Sequence, residues 1–203
     1  MEELKAHPNT QAVLDAWRRL SEGVDAPEGP TTDDYPGLVG RLFVLNPVAD
    51  RDYSFRRVGY ALEQLFGRQL GEHNFLSIWS ESDRRLVNAA LIAAAVDRGP
   101  TLIRARGETL VGKRVDLEFA LAPLFGRAGT ATRFLGLCQT MTPEETLAGR
   151  PLRRLQALRL DALPEAVAAT ALGLQPAQAD GQYLGATGAH RIAQHLRRWV
   201  MRS

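Results

Sequence analysis

Residues 54–84 read SFRRVGYALEQLFGRQLGEHNFLSIWSESDR, and the architecture of the chain can be inferred from this stretch. It begins with an alternating run typical of a β-strand, breaks at Gly59, and becomes helical over residues 61–66. It breaks again at Gly67 and Gly71, and then places two bulky aromatic residues just before a long helix. This pattern predicts that residues 61–79, which we call the wall, form short turns that fold over one face of a small sheet. The aromatic side chains of the wall then point into the core.

Strand-like segments lie on both sides of this stretch. Alternation of apolar and polar residues indicates strands with one packed face and one wetter face, as in an antiparallel sheet. A long helix over residues 81–98 follows the wall, with Leu86, Val87, Ala90, Leu91 and Ala94 as its predicted buried face. The predicted strands are 41–46, 52–59, 101–108, 115–123 and 132–140.

The N-terminal region reads as one amphipathic helix followed by a linker. The helix carries one apolar stripe, formed by Val13, Leu14, Trp17 and Leu20. Residues 25–34 are rich in proline and acidic side chains and show no periodicity, which is typical of a linker. A lone helix of this length is marginal in water unless its stripe is buried. We therefore predict that residues 1–24 lie outside the domain and form a dimer interface.

The order of elements predicts an α+β fold. Two strands, short helices, one long helix and three strands give a five-stranded antiparallel sheet with helices packed on one face. An N-terminal helix and a C-terminal helical extension complete the chain. The predicted boundaries are 1–24 for the N-terminal helix, 25–34 for the linker, 35–142 for the domain and 143–203 for the extension.

This arrangement, with these residues, resembles a PAS domain, and more narrowly the small PAS-like family common in alphaproteobacteria. The family pattern is a Phe-Arg strand ending in glycine, a helix, Phe-Gly-Arg, and a Phe…Trp pair. Here it is carried by Phe55, Arg56, Gly59, Phe66, Gly67, Arg68, Phe75 and Trp79. Further matching stretches are GRLFVLNPV at 40–48, the DR pair at 83–84, LEFALAPL at 117–124 and RFLGLCQ at 133–139.

The resemblance implies a bacterial sensory or interaction module in signal transduction. It leaves the ligand open, because PAS domains bind haem, flavin, metabolites or nothing. We predict a non-enzymatic regulatory protein without a cofactor, which acts through protein-protein contacts and forms a homodimer. The alternative is a sensor that holds a small molecule or cofactor between the sheet and residues 61–79. The candidate pocket residues are Phe66, Phe75, Trp79, Ile103 and Phe119, which general burial tendencies also explain as plain core.

Catalytic and metal-binding patterns are missing from the sequence. Its four histidines are scattered, and none stands in a Ser-His-Asp or Cys-His arrangement. The single cysteine, Cys138, excludes an internal disulfide and a cysteine-based zinc cluster. It also lies on a predicted strand, whereas photochemical flavin PAS domains carry theirs on a helix. His73 reads as a partly solvated loop histidine rather than a haem ligand. We predict no enzyme activity and no metal site.

Charge and hydropathy indicate what the protein binds and in which compartment it works. The formal net charge of +2 does not indicate nucleic-acid binding. No apolar run reaches the length of about 20 residues that a membrane span needs. The polar, acidic N-terminus MEELKAHPNT does not resemble a secretory signal. We therefore expect a cytoplasmic protein.

The C-terminal segment HRIAQHLRRWVM, residues 190–201, is predicted to be a basic amphipathic helix. Its apolar stripe includes Ile192, Leu196 and Trp199, and arginines fill the other face. Such a helix docks a partner, lies on an anionic membrane surface, or packs on its own domain. We name the three stripe residues as interface candidates for a signalling partner, and we regard the membrane surface as the less favoured alternative.

Overall fold

The computed structural model describes residues 6–21, 36–48, 52–126 and 129–163. The α-helices are α1 (Pro8–Ser21), α2 (Pro36–Val39), α3 (Tyr60–Phe66) and α4 (Glu81–Val96). Short 3₁₀ helices lie at Phe75–Ile78 and Glu144–Leu147. The strands are β1 (Leu42–Pro47), β2 (Tyr53–Val58), β3 (Thr101–Thr109), β4 (Arg114–Phe125), β5 (Ala131–Thr140) and β6 (Leu152–Ala162).

The strands form a single antiparallel sheet in the order β2-β1-β5-β4-β3-β6. The first strand of the chain therefore pairs with the fifth, in the interior of the sheet. This order requires the chain to cross from β2 at one edge of the sheet to β3 near the other edge. The crossing consists of α3, the 3₁₀ helix Phe75–Ile78 and α4. The predicted α+β class with an antiparallel sheet is confirmed.

The sheet has six strands, so the predicted count of five is wrong. The sixth, β6, pairs with β3 and occupies part of the extension that was predicted to be helical. Two irregularities interrupt its register with β3, and each shifts the side chains that face the core. The inward residues therefore follow at intervals of three, two and three instead of alternating. They are Leu152, Leu155, Ala157 and Leu160.

The wall between β2 and α4 holds both edges of the sheet. At one edge, the N–H of Phe55 in β2 donates to the carbonyl of His73 (2.9 Å), and Ser54 pairs with Asn74. At the other edge, Trp79 pairs with Leu155 of β6. The turn-rich stretch therefore satisfies backbone groups that edge strands would otherwise leave open for another chain.

This double attachment requires a curved sheet. Because Phe75–Ile78 is a 3₁₀ helix with a rise of about 2 Å per residue, the five residue steps from Asn74 to Trp79 span about 10 Å, or about 20 Å with one strand spacing added at each end. The five strand spacings from β2 to β6 would measure about 24 Å in a flat sheet. Since one short segment contacts both edges, the edges must approach each other, and the wall bridges the opening between them. The main core lies in this enclosed space.

The opposite face of the sheet is covered by α1. Val13, Leu14 and Trp17 of this helix are buried there, and the indole N–H of Trp17 donates to the carbonyl of Pro123 (2.8 Å). The helices between β2 and β3 pack on one face of the sheet, as predicted, but α1 packs on the other. The prediction that the N-terminal helix lies outside the domain is therefore wrong. The sheet residues buried beneath the helix are Leu42, Val44, Leu102, Ala120, Ala122, Leu135 and Leu137.

Two glycines in or beside the wall have clear backbone roles. A Cβ on Gly59 would lie 2.4 Å from the backbone of Gly40, so the chain approaches itself too closely there for any side chain. Gly67 adopts a left-handed φ of 60° and ends α3. Gly71 has open space around it, so the structure gives no reason for a glycine at that position.

Candidate functional site

The five predicted pocket residues are all buried in the core between the wall and the sheet. Three of their aromatic rings contact one another: Trp79 with Phe119 at a centroid distance of 5.2 Å, Phe75 with Trp79 at 5.9 Å, and Phe75 with Phe119 at 6.4 Å. Phe66 and Ile103 belong to the same buried cluster. The structure therefore brings the predicted set together, and three of its four aromatic rings pack directly on each other.

Two further phenylalanines belong to this aromatic cluster and were not among the predicted pocket residues. Phe43 of β1 stacks on Phe75 at 5.8 Å and meets Phe55 of β2 edge-on at 5.5 Å. Gly136 of β5 lies opposite Phe43, and a Cβ there would come within 2.2 Å of the phenylalanine ring. The alternation of β2 could have revealed Phe55, whereas β1 is apolar and buried on both faces over Leu42–Leu45 and gives no signal that singles out Phe43.

A polar site lies on the other face of the sheet, beneath the start of α1. Glu118 of β4 is fully buried, and its Oε2 lies 2.7 Å from a guanidinium nitrogen of Arg104, its register partner in β3. Its Oε1 accepts a hydrogen bond from the backbone N–H of His7 (3.0 Å). Beside it, the Asn9 side chain donates to Gln139 of β5 (3.2 Å). A buried carboxylate needs such partners, so these contacts tie α1 to the sheet.

His7 also caps the N-terminus of α1. Its Nδ1 accepts a hydrogen bond from the backbone N–H of Asn9 (3.1 Å), a group that the first turn of a helix leaves unpaired. Pro8 occupies the first helical position, where its missing N–H costs nothing. Only the unprotonated Nδ1 can accept, so this cap depends on a neutral histidine.

We expect the stability of the protein to fall as the pH drops below about 6.5, and His7 to cause part of that loss. Burial lowers the pKa of His7 from its ordinary value of 6.5, Glu118 opposes the shift, and Arg41 and Arg104 add to it. The unfolded chain therefore takes up the proton first, and protonation favours unfolding. Urea unfolding between pH 7.5 and 5.5 measures the loss. The His7→Asn variant keeps a capping oxygen without this titration, so its pH dependence should be weaker; an identical dependence would contradict the assignment.

Residues 5–139, more than half of the chain, match the family profile of the PAS domain. The chain belongs to the PAS domain family. Comparison with curated proteins gives no match.

Solved structures similar to this PAS protein include two from bacteria. The LOV protein of Rhodobacter sphaeroides has 14% sequence identity and a TM-score of 0.45, with 82% of this chain and 91% of that chain covered. The PAS domain of a Colwellia psychrerythraea protein has 15% identity and a TM-score of 0.41, with 50% of this chain and 86% of that chain covered. At these sequence identities, the similarity concerns the fold alone and carries no statement about a ligand or an activity.

The interface candidates on α1 are not free to bind a second chain. Val13, Leu14 and Trp17 are at most 2% exposed because they pack on the sheet of their own PAS domain. The prediction of a dimer interface at these three residues is therefore wrong. Leu20 lies in the same helix. The other three candidates, Ile192, Leu196 and Trp199, lie outside the described residues.

Reactive side chains in the described regions are few. Cys138 is buried on β5, and burial raises the pKa of its thiol, which disfavours the nucleophilic thiolate. The His73 side chain is exposed in the wall, as predicted for a loop histidine. Within the described ranges, no group of three potential metal ligands comes together. No helix of the described residues is both long and apolar enough to cross a membrane.

Proposed function

We propose that this PAS protein is a non-enzymatic bacterial regulator that works in the cytoplasm through contacts with other proteins and as a homodimer. The observation that carries the proposal is the direct ring-to-ring packing of Phe75, Trp79 and Phe119. Side chains that fill the space between wall and sheet favour a structural core over a ligand pocket there. The signal then passes through surfaces of the domain and its extension.

The C-terminal segment supplies the first test. Its sequence combines tryptophan with several arginines, the side chains that most often anchor interfaces. Removing residues 189–203 should change the melting temperature by only a few degrees and abolish recovery of the partner from native cytoplasm. The point variant Trp199→Ala, which keeps the full length, should weaken the same association. A drop of many degrees on truncation would instead show that the segment packs on its own domain.

A membrane surface is the competing target of this segment, and the same truncation distinguishes it. Binding to a membrane through arginines requires anionic lipid and weakens steeply with salt. Full-length protein that sediments with phosphatidylserine vesicles, but recovers no protein partner, would contradict the proposed mode of action.

The second candidate function is a sensor with a small molecule between the sheet and the wall. One observation favours it: the indole N–H of Trp79 is buried and has no hydrogen-bond partner among the described residues. A buried donor without an acceptor costs about 1–3 kcal/mol, and a polar ligand atom would satisfy it. Native mass spectrometry with an absorption spectrum separates the two candidates, because a ligand adds mass and a cofactor adds absorbance.

A further inference from the structure

One face of α4 is apolar and exposed. The helix packs on the core through Val87, Leu91 and Ala94, which are buried. On its other side, Leu86 is 51% exposed and Val96 is 74% exposed. The sequence-based prediction placed Leu86 in the buried face, and the structure corrects it. These two side chains leave apolar area uncovered at both ends of the helix.

A single ridge of side chains crosses this face. Arg85, Ala89, Ala93 and Asp97 follow one another at intervals of four, the spacing that forms a ridge on a helix surface. The two central residues are small, and the two ends carry opposite charges. Within the parts of the chain that the structure describes, neither charged residue takes part in an ion pair. Leu86 and Val96 flank the ridge.

We propose that this face of α4 is the interface between two copies of the protein, packed antiparallel about a two-fold axis level with Leu91. The proposal rests on the homodimer proposed above and names its surface. Arg85 and Asp97 lie six residues on either side of Leu91, and Ala89 and Ala93 lie two residues on either side. The two-fold axis therefore sets the alanines of one copy against those of the other and brings unlike charges to the same level at both ends.

Helix packing geometry supports this pairing. Ridges of i, i+4 residues are inclined to the helix axis by about 26°, so the ridges of two copies align when the helices cross at about 50°. The two ridges then run parallel, so that Arg85 of each copy approaches Asp97 of the other. Alanines at the crossing point allow the axes to come within about 8 Å.

The charge pattern identifies the occupant of the face as a second copy. A two-fold interface brings one patch against itself, so the patch must be complementary to itself. The ridge meets this requirement, because its positive end matches its own negative end. The helix has 16 residues, and its length of about 24 Å limits the contact to the low end of interface sizes. The expected dimer is therefore weak and depends on protein concentration.

A charge swap tests the interface. Either Arg85→Asp or Asp97→Arg turns both attractive pairs of the dimer into repulsions and should raise the dissociation constant about tenfold. The double variant restores both pairs in reverse and should return the constant close to that of the wild type. Loss of folding is not expected to cause these shifts in the dissociation constant. An acidic residue near the start of a helix and a basic residue near its end both interact favourably with the helix dipole.

The dissociation constants come from sedimentation equilibrium of the full chain over a range of concentrations, with melting temperatures recorded alongside. Lys113→Asp makes the same change of charge as Arg85→Asp at an exposed position outside α4, and it should leave dimerisation unchanged. A wild-type chain that stays monomeric at all concentrations would overturn the homodimer itself. A wild-type dimer that both single variants preserve would overturn only the α4 surface. Weakened single variants without recovery in the double variant would overturn the antiparallel pairing.

Discussion

Replacing Trp79 by alanine is expected to lower the free energy of unfolding by about 3–5 kcal/mol, as large-to-small changes in a packed core do. The side chain is 1% exposed and contacts the rings of Phe75 and Phe119. It also lies where the wall meets the edge of β6, so a cavity there would open beside both layers. Urea unfolding of the wild type and the variant measures the difference.

The Trp79→Phe variant is the matched control. It keeps an aromatic ring in the cluster and removes an indole N–H that has no hydrogen-bond partner among the described residues. The loss of stability should therefore be well under half of that caused by alanine. A loss below about 1 kcal/mol for Trp79→Ala would mean that the side chain is not part of a packed core.

The two variants also bear on the second candidate function. If a polar ligand satisfies the indole N–H of Trp79, the phenylalanine variant loses that hydrogen bond and its bound mass together. If the rings form only a core, the two proteins should have the same native mass apart from the substitution. Trp79→Phe is therefore both a control for stability and a test for a bound ligand.

The inner face of the sheet was predictable because its residues alternate. In β4, Val115, Leu117, Phe119 and Leu121 all point to the core. Successive side chains of a strand point to opposite faces of the sheet, so strict alternation of apolar and polar residues indicates a strand with one buried face. The glycines of the wall and its aromatics then indicated the segment that covers this face. The fold class and the predicted pocket set both follow from these local patterns.

The sixth strand was not predictable from alternation. Two shifts of register in its pairing with β3 change the face to which successive residues point. The inward residues then stand three, two and three positions apart, which suits a helix better than a strand. These eleven residues are a strand because they pair with β3.

The position of α1 on the outer face of the sheet was not predicted, because the central strands are buried on both faces. Ala120 and Ala122 lie on the outer face of β4, and small residues carry no clear signal of burial there. Glu118 on the same face indicated contact with water. It is instead paired with Arg104 beneath α1. A charged residue beneath a distant helix depends on tertiary contacts that no local pattern contains.

Deletion of residues 1–24 is expected to lower the melting temperature by about 15–25 °C or to abolish cooperative unfolding. The deletion removes three large buried side chains, each worth about 1.5–3 kcal/mol of apolar burial. They are Val13, Leu14 and Trp17. Their combined contribution of about 6 kcal/mol approaches the whole stability of a typical domain. Calorimetry and circular dichroism of the truncated protein measure the effect.

Polar contacts should make this deletion more damaging than the apolar area alone suggests. Without α1, the carboxylate of Glu118 loses the N–H of His7, and the leucines of the outer face meet water. Deleting only residues 1–5 leaves α1 in place, so it should leave the melting temperature unchanged. A Δ1–24 protein with the melting temperature of the full chain would mean that the helix is a separate module. Its apolar stripe would then again be available to a second copy, and α4 would have a competitor as the dimer interface.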